Sequence, residues 1–263
     1  MCTIIVRHQI DEWCSTVIAS NRDEFYQRKA TPPTVLSSDP IVIGGRDESK
    51  GGTWFGVTVG GLHAGLTNQR TFGLPDDVLR SRGELVLHAL ETGSHAGIRS
   101  YLEAIDPQRY NDFNLIYGDG VSLEAAYGRR ASTKVEFETL GKGVHVLCNG
   151  RLGSPEFPKA RMAASRVRSI VPQPWEGLMR ELATVLSDGS LPDAADVPAV
   201  PDNALFDQDL ARHLQAICVK TPIYGTVSST VAAIRPGEAL QYHYSGEPGA
   251  TDGFEDFTDL VRP

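Results

Sequence analysis

The sequence lacks the features of membrane-spanning, secreted and nucleic-acid-binding proteins. No apolar run in its 263 residues approaches the roughly 18 residues that a membrane-spanning helix requires. The N-terminus has neither the positively charged start nor the apolar segment of a secretory signal peptide. The formal net charge is -8, the pI is near 5.4, and no basic patch is interleaved with aromatic residues, which disfavours nucleic acid and anionic membrane surfaces as partners. We therefore expect a cytoplasmic protein without a membrane span.

Cysteine and histidine are few and widely spaced. The four cysteines form no C-x-x-C pair, and the seven histidines form no H-E-x-x-H pair. This spacing disfavours both a disulfide framework and a zinc site, so we expect reduced thiols, no bound metal and no cofactor. Three of the cysteines lie in apolar surroundings, and we interpret them as small core residues: Cys14, Cys148 and Cys218.

The order of predicted elements indicates an α+β protein. No low-complexity linker divides the chain, so we expect one domain over residues 1–263. Blocks of predicted strands alternate with blocks of predicted helices, which is typical of segregated, mainly antiparallel sheets. Two stacked sheets flanked by helices would bury the first and the last hairpin at the centre. Helices are predicted over residues 75–90, 94–105, 158–171, 175–186 and 205–219, and a loop over residues 32–38.

The N-terminal residues suit nucleophilic catalysis. Only Met1 precedes Cys2, and an initiator methionine is normally removed when a small residue such as cysteine follows. Removal leaves a thiol and a free α-amine on one residue. An α-amine has a pKa of about 7.7–8.0 and is partly an uncharged base near neutrality, while a deprotonated thiol is a strong nucleophile. Cys2 is therefore a candidate for both nucleophile and base; the alternative is an ordinary buried cysteine.

A predicted hairpin brings further polar residues to Cys2. Residues 3–7 and 14–19 are β-branched or apolar and predict two antiparallel strands. Because the second strand ends beside the start of the first, we expect Asn21, Arg22 and Asp23 near Cys2. The carboxylate would hold the amine or thiol in place, and the guanidinium would favour the thiolate. The alternative is that these residues form a solvated turn.

Glycine pairs mark a second candidate segment. Gly44-Gly45 and Gly51-Gly52 bracket Arg46-Asp47, and glycine permits close approach of backbone to a ligand. We interpret this segment as a pocket wall with Arg46 and Asp47 as substrate contacts, or as an internal ion pair between them. Trp54 follows directly and is either a substrate contact or a core residue.

Several ordered motifs together resemble a known family. They are Met1-Cys2-Thr3, Asn21-Arg22-Asp23-Glu24, Gly44-Gly45-Arg46-Asp47, Gly51-Gly52-Thr53-Trp54-Phe55-Gly56, Leu66-Thr67-Asn68-Gln69-Arg70 and Tyr224-Gly225-Thr226. They resemble the NRDE family, also called the transport and Golgi organisation 2 family. That family looks like a branch of the N-terminal nucleophile (Ntn) hydrolases, near penicillin V acylase and bile salt hydrolase. The resemblance implies an α+β four-layer αββα sandwich with two stacked, mainly antiparallel sheets.

The resemblance also implies roles for individual residues. In the cysteine amidases of this fold, the nucleophile corresponds to Cys2 and the aspartate after the first hairpin to Asp23. An oxyanion-hole asparagine corresponds to Asn68, and a second asparagine, ahead of a Ser-Pro turn, to Asn149. The remaining implied positions are arginines beside the nucleophile and in the substrate site, for which the candidates are Arg22 and Arg161. The chain lacks a long insertion after the position of Asn149, so the acyl-binding loops of the amidases have no counterpart.

Two functions from different classes follow. The first is a cysteine Ntn-type hydrolase of a linear amide or thioester, with Cys2, Arg22, Asp23, Asn68 and Asn149 catalytic. Its substrate-binding residues are then Asn21, Arg46, Asp47, Trp54 and Arg161. The second, also suggested by the family, is a non-catalytic carrier of haem or a lipid-like ligand. In that case Trp54, Phe55 and Tyr26 would line an apolar pocket, and His63 or Cys2 would ligate iron.

Overall fold

The chain folds into two antiparallel β-sheets with helices on both outer faces. The computed structural model describes residues 2–262. The strands, in chain order, are β1 (Cys2–His8), β2 (Thr16–Phe25), β3 (Ala30–Ser38), β4 (Ile41–Asp47), β5 (Phe55–Thr58), β6 (His63–Asn68), β7 (Phe113–Gly118), β8 (Leu123–Gly128), β9 (Glu136–Thr139), β10 (Gly143–Leu147), β11 (Tyr224–Arg235), β12 (Glu238–Ser245) and β13 (Glu255–Asp256). The α-helices are α1 (Arg82–Glu91), α2 (His95–Ala104), α3 (Pro158–Ser169), α4 (Trp175–Leu186), α5 (Gln208–His213) and α6 (Thr258–Val261), and short 3₁₀ turns occur at Pro107–Arg109 and Ala194–Asp196.

The first and last hairpins form the centre of one sheet, as predicted. The six-stranded sheet has the order β10-β1-β2-β11-β12-β13, and the seven-stranded sheet follows the chain from β3 to β9. Register between β1 and β2 places Cys2 opposite Arg22 and Thr3 opposite Asn21. The predicted juxtaposition of Cys2 with the start of the Asn21-Arg22-Asp23 segment is therefore confirmed.

Three apolar layers hold the sandwich together. Successive strand residues point to opposite faces, so Ile4 and Val6 of β1 pack between the two sheets while Ile5 packs against the helices. Helices α3 and α4 cover the six-stranded sheet through residues such as Val167 and Leu182. Helices α1 and α2 cover the seven-stranded sheet. This αββα order is the predicted fold class. No helix within residues 2–262 is long and apolar enough to cross a bilayer.

The predicted loop over residues 32–38 is wrong, because these residues belong to β3. Pro32 and Pro33 suggested a loop, since proline cannot donate a ladder hydrogen bond. β3 is the outermost strand of the seven-stranded sheet, where one side of the backbone needs no partner, and its pairing with β4 is irregular at the prolines. An edge position therefore accommodates both prolines.

Two predicted helices are shorter than expected. The helix predicted from residue 75 begins only at Arg82. The preceding loop is held to the loop before β7 by two hydrogen bonds: the Asp76 N–H donates to Asn111 Oδ1 at 2.9 Å, and Asn111 Nδ2 donates to the Asp76 carbonyl at 2.8 Å. The helix predicted over residues 205–219 is confined to α5. Beyond it, the Ile217 carbonyl accepts from Asn21 Nδ2 and the Val219 N–H donates to Thr226 Oγ1, so these backbone groups bond to strands instead of to a helix.

Candidate active site

Cys2 lines a cleft at the end of the sandwich where β1 begins. The cavity has a volume of about 120 Å³ and receives residues from both sheets, from the loop before α1 and from the first turn of α1. Among the sequence-predicted site residues, the cleft is lined by Cys2, Arg22, Asp23, Asp47, Trp54 and Asn68. Cys2 is partly buried, whereas Cys14, Cys148 and Cys218 are fully buried, as predicted for core residues.

The environment of Cys2 raises the pKa of its thiol. Burial is the main cause that raises the pKa of the Cys2 thiol, and the negative charge of Asp23 adds to it. A hydrogen bond from the backbone N–H of Asp23 and the positive charge of Arg22 act in the opposite direction and favour the thiolate. Because burial prevails, a reaction through this sulfur requires a base beside it.

Asp23 is held in a buried polar cluster with a lysine from another layer. Its Oδ1 accepts a hydrogen bond of 2.7 Å from Thr226 Oγ1 on β11. Its Oδ2 lies 3.6 Å from Nζ of Lys159 on α3, and both side chains are 0% exposed. Burial raises the pKa of the Asp23 carboxyl, while Lys159 and the Thr226 hydrogen bond lower it. The cluster fixes the carboxyl group directly behind Cys2.

The sequence prediction missed Lys159. Lysine is rarely buried, and the predicted helix assigned no role to the residue. A signal was present, because Lys159, Ala163 and Val167 recur at four-residue spacing and share the face of α3 that packs on the sheet. A cation on the buried stripe of a helix indicates a buried anion opposite it.

Arg22 and Trp54 form one wall of the cleft. The Arg22 guanidinium lies 4.5 Å from the centre of the Trp54 ring, and the Arg22 side chain is buried. A guanidinium over an indole face is an attractive arrangement that also restricts both side chains. Both predicted residues are thus brought to Cys2, and the cation is held on the sulfur's side of β2.

The two predicted oxyanion asparagines occupy different positions. Asn68 ends β6 and lines the cleft. Asn149 is fully buried, is not part of the cleft wall, and donates from Nδ2 to the backbone oxygen of Asn68 at 2.8 Å. Its own carbonyl accepts from the Arg70 N–H at 2.7 Å. In this structure Asn149 therefore bonds to the segment that carries Asn68 and does not itself line the cleft, so its predicted direct contact with an oxyanion stays a prediction.

Three predicted substrate contacts lie outside the cleft. Asn21 points to the helical side of β2, where its amide bonds to Leu186 O at 2.8 Å, Ile217 O at 2.9 Å and Ser229 Oγ at 2.6 Å. It is one residue from Arg22 and therefore faces the opposite way. Arg46 is exposed and is not part of the cleft wall, and Arg161 is exposed and binds the Pro155 carbonyl near β10. These three residues are placed for structural or surface roles.

Asp47 lines the cleft, but its ion partner is not the predicted one. Its Oδ2 lies 2.5 Å from a guanidinium nitrogen of Arg28, and Arg28 also pairs with Glu24 at 3.2 Å. Asp47 Oδ1 accepts from the Ser49 N–H. Asp47 therefore pairs with Arg28 and not, as predicted, with Arg46. The ion pairs of Arg28 with Glu24 and Asp47 join the end of β2 to the end of β4.

The residues predicted to line an apolar carrier pocket do not lie together. Phe55 is 2% exposed in the core between the sheets, and Tyr26 is 48% exposed on the surface. His63 is buried beside the carbonyl of Gly61 and does not line the cleft, so it cannot meet a ligand there. Of the predicted aromatic set, Trp54 alone lines the cleft. No cluster of three His, Cys, Asp or Glu side chains suited to a metal occurs among residues 2–262.

Arg82 is a further cleft residue that the sequence prediction missed. It begins α1, is partly buried, and donates from one terminal nitrogen to the Asp112 carbonyl at 3.2 Å. Burial lowers the pKa of its guanidinium, the positive charge of Arg28 lowers it further, and the negative charges of Glu24 and Asp112 act in the opposite direction. Its place in the wall of the cleft that Cys2 also lines depends on how α1 stacks on the sheet, which sequence spacing does not reveal.

A family comparison identifies the relatives of the chain. The family profile described as Transport and Golgi organisation 2 matches residues 1–243. The chain belongs to this family. It is 33% identical over 237 residues to the Transport and Golgi organization protein 2 homolog of Bos taurus, a match that covers 83% of this chain and 81% of that protein. The Homo sapiens homolog is 32% identical over 234 residues, with the same coverage of 83% and 81%.

Comparison with solved structures identifies the fold as that of the Ntn hydrolases. A Caenorhabditis elegans N-acylethanolamine-hydrolyzing acid amidase ortholog superposes with a TM-score of 0.55 and 13% identity over 99% of this chain and 97% of that chain. A conjugated bile acid hydrolase from Clostridium perfringens superposes with a TM-score of 0.51 and 10% identity over 98% of this chain and 92% of that chain. The structural relation predicted from the motifs is confirmed at the level of fold.

Proposed function

We propose that this protein is a hydrolase that cleaves a linear acyl amide or thioester through Cys2. The observation that carries the proposal is the arrangement at the cleft: a partly buried sulfur on the first strand, opposite Arg22 and backed by the buried Asp23. Structurally similar proteins are named for hydrolysing N-acylethanolamines and conjugated bile acids. Those names describe cleavage of acyl derivatives, which is the reaction class that we extend to this chain.

The nucleophile needs a base, and the proposal assigns this role to the α-amine of Cys2. Met1 lies outside the described residues, and its removal would create that amine. The amine takes the thiol proton, and the sulfur attacks the substrate carbonyl carbon. The Arg22 charge favours the thiolate during this step, and Asp23 holds the resulting ammonium group.

Asn68 is assigned to the developing oxyanion. Attack forms a carbon–sulfur bond and moves the carbonyl electron pair onto oxygen, where an amide N–H stabilises it. Collapse breaks the bond to the leaving nitrogen or sulfur, which receives the proton held by the amine. Water, deprotonated by the same amine, then attacks the acyl-enzyme and releases a carboxylic acid and the free Cys2 thiol. Asn149 holds Asn68 through its backbone carbonyl.

Turnover of matched substrates by Cys2 variants tests the proposal. We expect the purified protein to release lauric acid from lauroyl amides or lauroyl thioesters, and Cys2→Ala to release none above background. Asn68→Ala should retain folding but lose about 10²–10³ in kcat, as expected for one lost oxyanion donor. Arg161→Ala, an exposed residue outside the cleft, is the control and should retain full activity. Equal turnover by Cys2→Ala and the parent protein would refute the proposal.

A further inference from the structure

Two of the three tryptophans lie together at the end of the sandwich opposite Cys2. Trp13 belongs to the turn after β1, and the seven residues of β1 span about 20 Å between Cys2 and that turn. The Trp13 ring contacts the ring of Trp175, the first residue of α4, with 5.7 Å between the ring centres and 77° between the ring planes. Both rings are partly exposed and line a groove of about 590 Å³, the tryptophan groove.

The two indole N–H groups are already used within the protein. Trp13 Nε1 donates to the Gln173 carbonyl at 3.2 Å, and Trp175 Nε1 donates to His243 Nε2 at 3.2 Å. Burial lowers the pKa of His243, so the ring beside Trp175 is neutral near pH 7 and adds no positive charge. A ligand in the tryptophan groove therefore meets aromatic carbon surface and not a hydrogen-bond donor of either indole.

A buried ion pair holds the turn that carries Trp13. Arg7 donates to both carboxylate oxygens of Asp11 at 2.9 and 2.7 Å, and both side chains are 1% exposed. Arg7 Nη1 also donates to the Val167 and Ile170 carbonyls, each at 3.1 Å, at the end of α3. The turn is thus fixed to the helical layer, and the groove is formed before a ligand binds, which lowers the entropy cost of binding.

The charges that line the tryptophan groove are of one sign. Its charged side chains are Glu12 and Glu176, and its other lining residues are neutral: Trp13, Pro172, Gln173, Pro174 and Trp175. Within residues 2–262, neither glutamate side chain forms an ion pair or a hydrogen bond. Glu176 also lies in the first turn of α4, where it complements the helix dipole, whereas Glu12 has no such role. Two carboxylates beside two tryptophan rings favour a cation, since the faces of aromatic rings are also electron-rich.

We propose that the tryptophan groove binds a small organic cation that carries a quaternary ammonium group. Such a group has no N–H, so it loses no hydrogen bond to water when it moves against aromatic rings, and tryptophan attracts cations most strongly of the aromatic residues. A volume of about 590 Å³ is typical of pockets for small molecules. The site goes beyond the proposed hydrolase function, because it lies at the other end of β1 from Cys2.

A charged ligand and its neutral isostere test the proposal. Choline and 3,3-dimethyl-1-butanol have the same shape and differ in the positive charge. We expect calorimetry to show that choline binds about 10-fold more tightly than the alcohol, and that added salt weakens choline binding. In NMR spectra, the indole N–H signals of Trp13 and Trp175 should shift with choline, and that of Trp54 should not. No binding of choline, or equal affinity for the two ligands, would overturn the proposal.

Two substitutions in the groove and one outside it test the assigned residues. Trp13→Leu keeps an apolar side chain but removes the aromatic face, and should weaken choline binding about 10-fold. Glu12→Gln keeps the shape but removes a charge, and should weaken it about 2- to 5-fold. Glu181→Gln, at an exposed position of α4 that does not line the groove, is the matched control and should bind like the parent protein. Thermal unfolding checks that each variant is folded. Unchanged binding by Trp13→Leu, or equal losses in Glu12→Gln and Glu181→Gln, would contradict the assigned site.

Cys2→Ala separates the tryptophan groove from the cleft. We expect this variant to bind choline with the affinity of the parent protein, whether or not the parent protein hydrolyses acyl substrates. Loss of choline binding in Cys2→Ala would place the ligand in the cleft and overturn the proposal. Phosphatidylcholine vesicles and a trimethyl-lysine peptide carry the same chemical group on larger molecules. Binding of either one without binding of free choline would overturn the assignment of a small-molecule ligand.

Discussion

Lys159 and Asp23 place opposite charges in the interior of the molecule, behind the candidate nucleophile. Their charged atoms lie 3.6 Å apart and both side chains are fully buried. Such a pair gives little net stability relative to apolar residues, but loss of one partner leaves an uncompensated buried charge. The pair is therefore expected to control the charge state of Asp23 as much as the stability of the fold.

Replacement of Lys159 by methionine tests this role. We expect Lys159→Met to lower the free energy of unfolding by about 3–5 kcal/mol, measured by urea denaturation. The pKa of Asp23 should rise, because the cation that lowers it is removed, so the acid limb of the pH–rate profile should move to higher pH. Arg161→Met on the exposed side of α3 should cost less than about 0.5 kcal/mol.

A second substitution separates an ion pair from simple packing. Adding Asp23→Asn to Lys159→Met removes the buried negative charge that Lys159 faces in the parent protein, so the double variant should be more stable than Lys159→Met alone. Equal stability of the single and double variants at neutral pH would contradict the assigned electrostatic role.

His63 is buried in β6 and predicts a loss of stability in acid. Burial lowers its pKa to about 4, below the value of about 6.5 expected in the unfolded chain. Unfolded chains therefore bind the proton first as the pH falls. The stabilisation is complete above pH 6.5 and is lost progressively as the pH falls towards 4, with about 2 kcal/mol lost at pH 5.

The contribution of His63 is measured by comparing variants at two pH values. We expect the decrease in unfolding free energy from pH 7 to pH 5 to be smaller by about 2 kcal/mol in His63→Gln than in the parent protein. His213→Gln, whose side chain is 38% exposed, is the control and should leave the decrease unchanged. An identical pH dependence in His63→Gln and the parent protein would show that His63 does not cause the acid sensitivity.

At the scale of elements, the turn between β5 and β6 depends on glycine at one position but not at its neighbour. Gly61 has a φ of +83°, and an added Cβ would lie 2.9 Å from the carbonyl oxygen of Arg235, the last residue of β11. At Gly60 the nearest atom to an added Cβ is Thr58 Oγ1 at 3.8 Å. The turn therefore joins the two sheets through a close contact at Gly61.

Alanine at each glycine gives a matched comparison. We expect Gly61→Ala to lower the free energy of unfolding by about 1–3 kcal/mol, because it combines a strained backbone conformation with a steric conflict. Gly60→Ala should change it by less than about 0.5 kcal/mol. Denaturant midpoints of the two variants provide the measurement, and equal losses in both would contradict the predicted contact between hairpins.

The helices and strands were predicted correctly where the spacing of apolar residues in the sequence matches the residues that are buried in the structure. β1, β2 and β11 are apolar on both faces and proved to be central strands, and α4 was predicted with its observed bounds. The prediction failed where apolar residues are not buried. Val78 suggested that the helix begins before α1, but Val78 is 94% exposed, and hydrogen bonds between Asp76 and the loop residue Asn111 hold the start of that segment outside a helix.

At the scale of the whole molecule, the site combines residues from several layers of the sandwich. Sequence spacing predicts which residues meet within one sheet, but not which residues meet across layers. The hairpin register brings Cys2 and Arg22 together, and this part was predictable because both residues belong to neighbouring strands. Lys159 comes from α3 and Arg82 from the start of α1, on opposite outer layers of the sandwich. The four-residue spacing on α3 indicates that Lys159 faces the sheet, but which residues Lys159 and Arg82 meet depends on the stacking of layers, for which one sequence contains no direct signal.

The distribution of charge also differs between the whole chain and the cleft. The chain has a net charge of -8, which disfavours nucleic acid and anionic membrane surfaces as partners. The cleft, by contrast, is lined by equal numbers of basic and acidic side chains, namely Arg22, Arg28, Lys50, Arg80 and Arg82, and Asp23, Glu24, Asp47, Asp76 and Asp77. An acidic surface around a cleft of balanced charge disfavours a polyanion as ligand, since a polyanion would be repelled outside the cleft.

The intact mass of the protein after reaction with an electrophilic acyl probe tests the central claim most directly. The account predicts a chain that lacks Met1 and carries one acyl group, which peptide mapping assigns to Cys2 because the other cysteines are fully buried. Cys2→Ala should remain unmodified under the same conditions. A chain that retains Met1 and still turns over acyl substrates, or an equal acyl load on Cys2→Ala, would contradict an amine-assisted cysteine nucleophile.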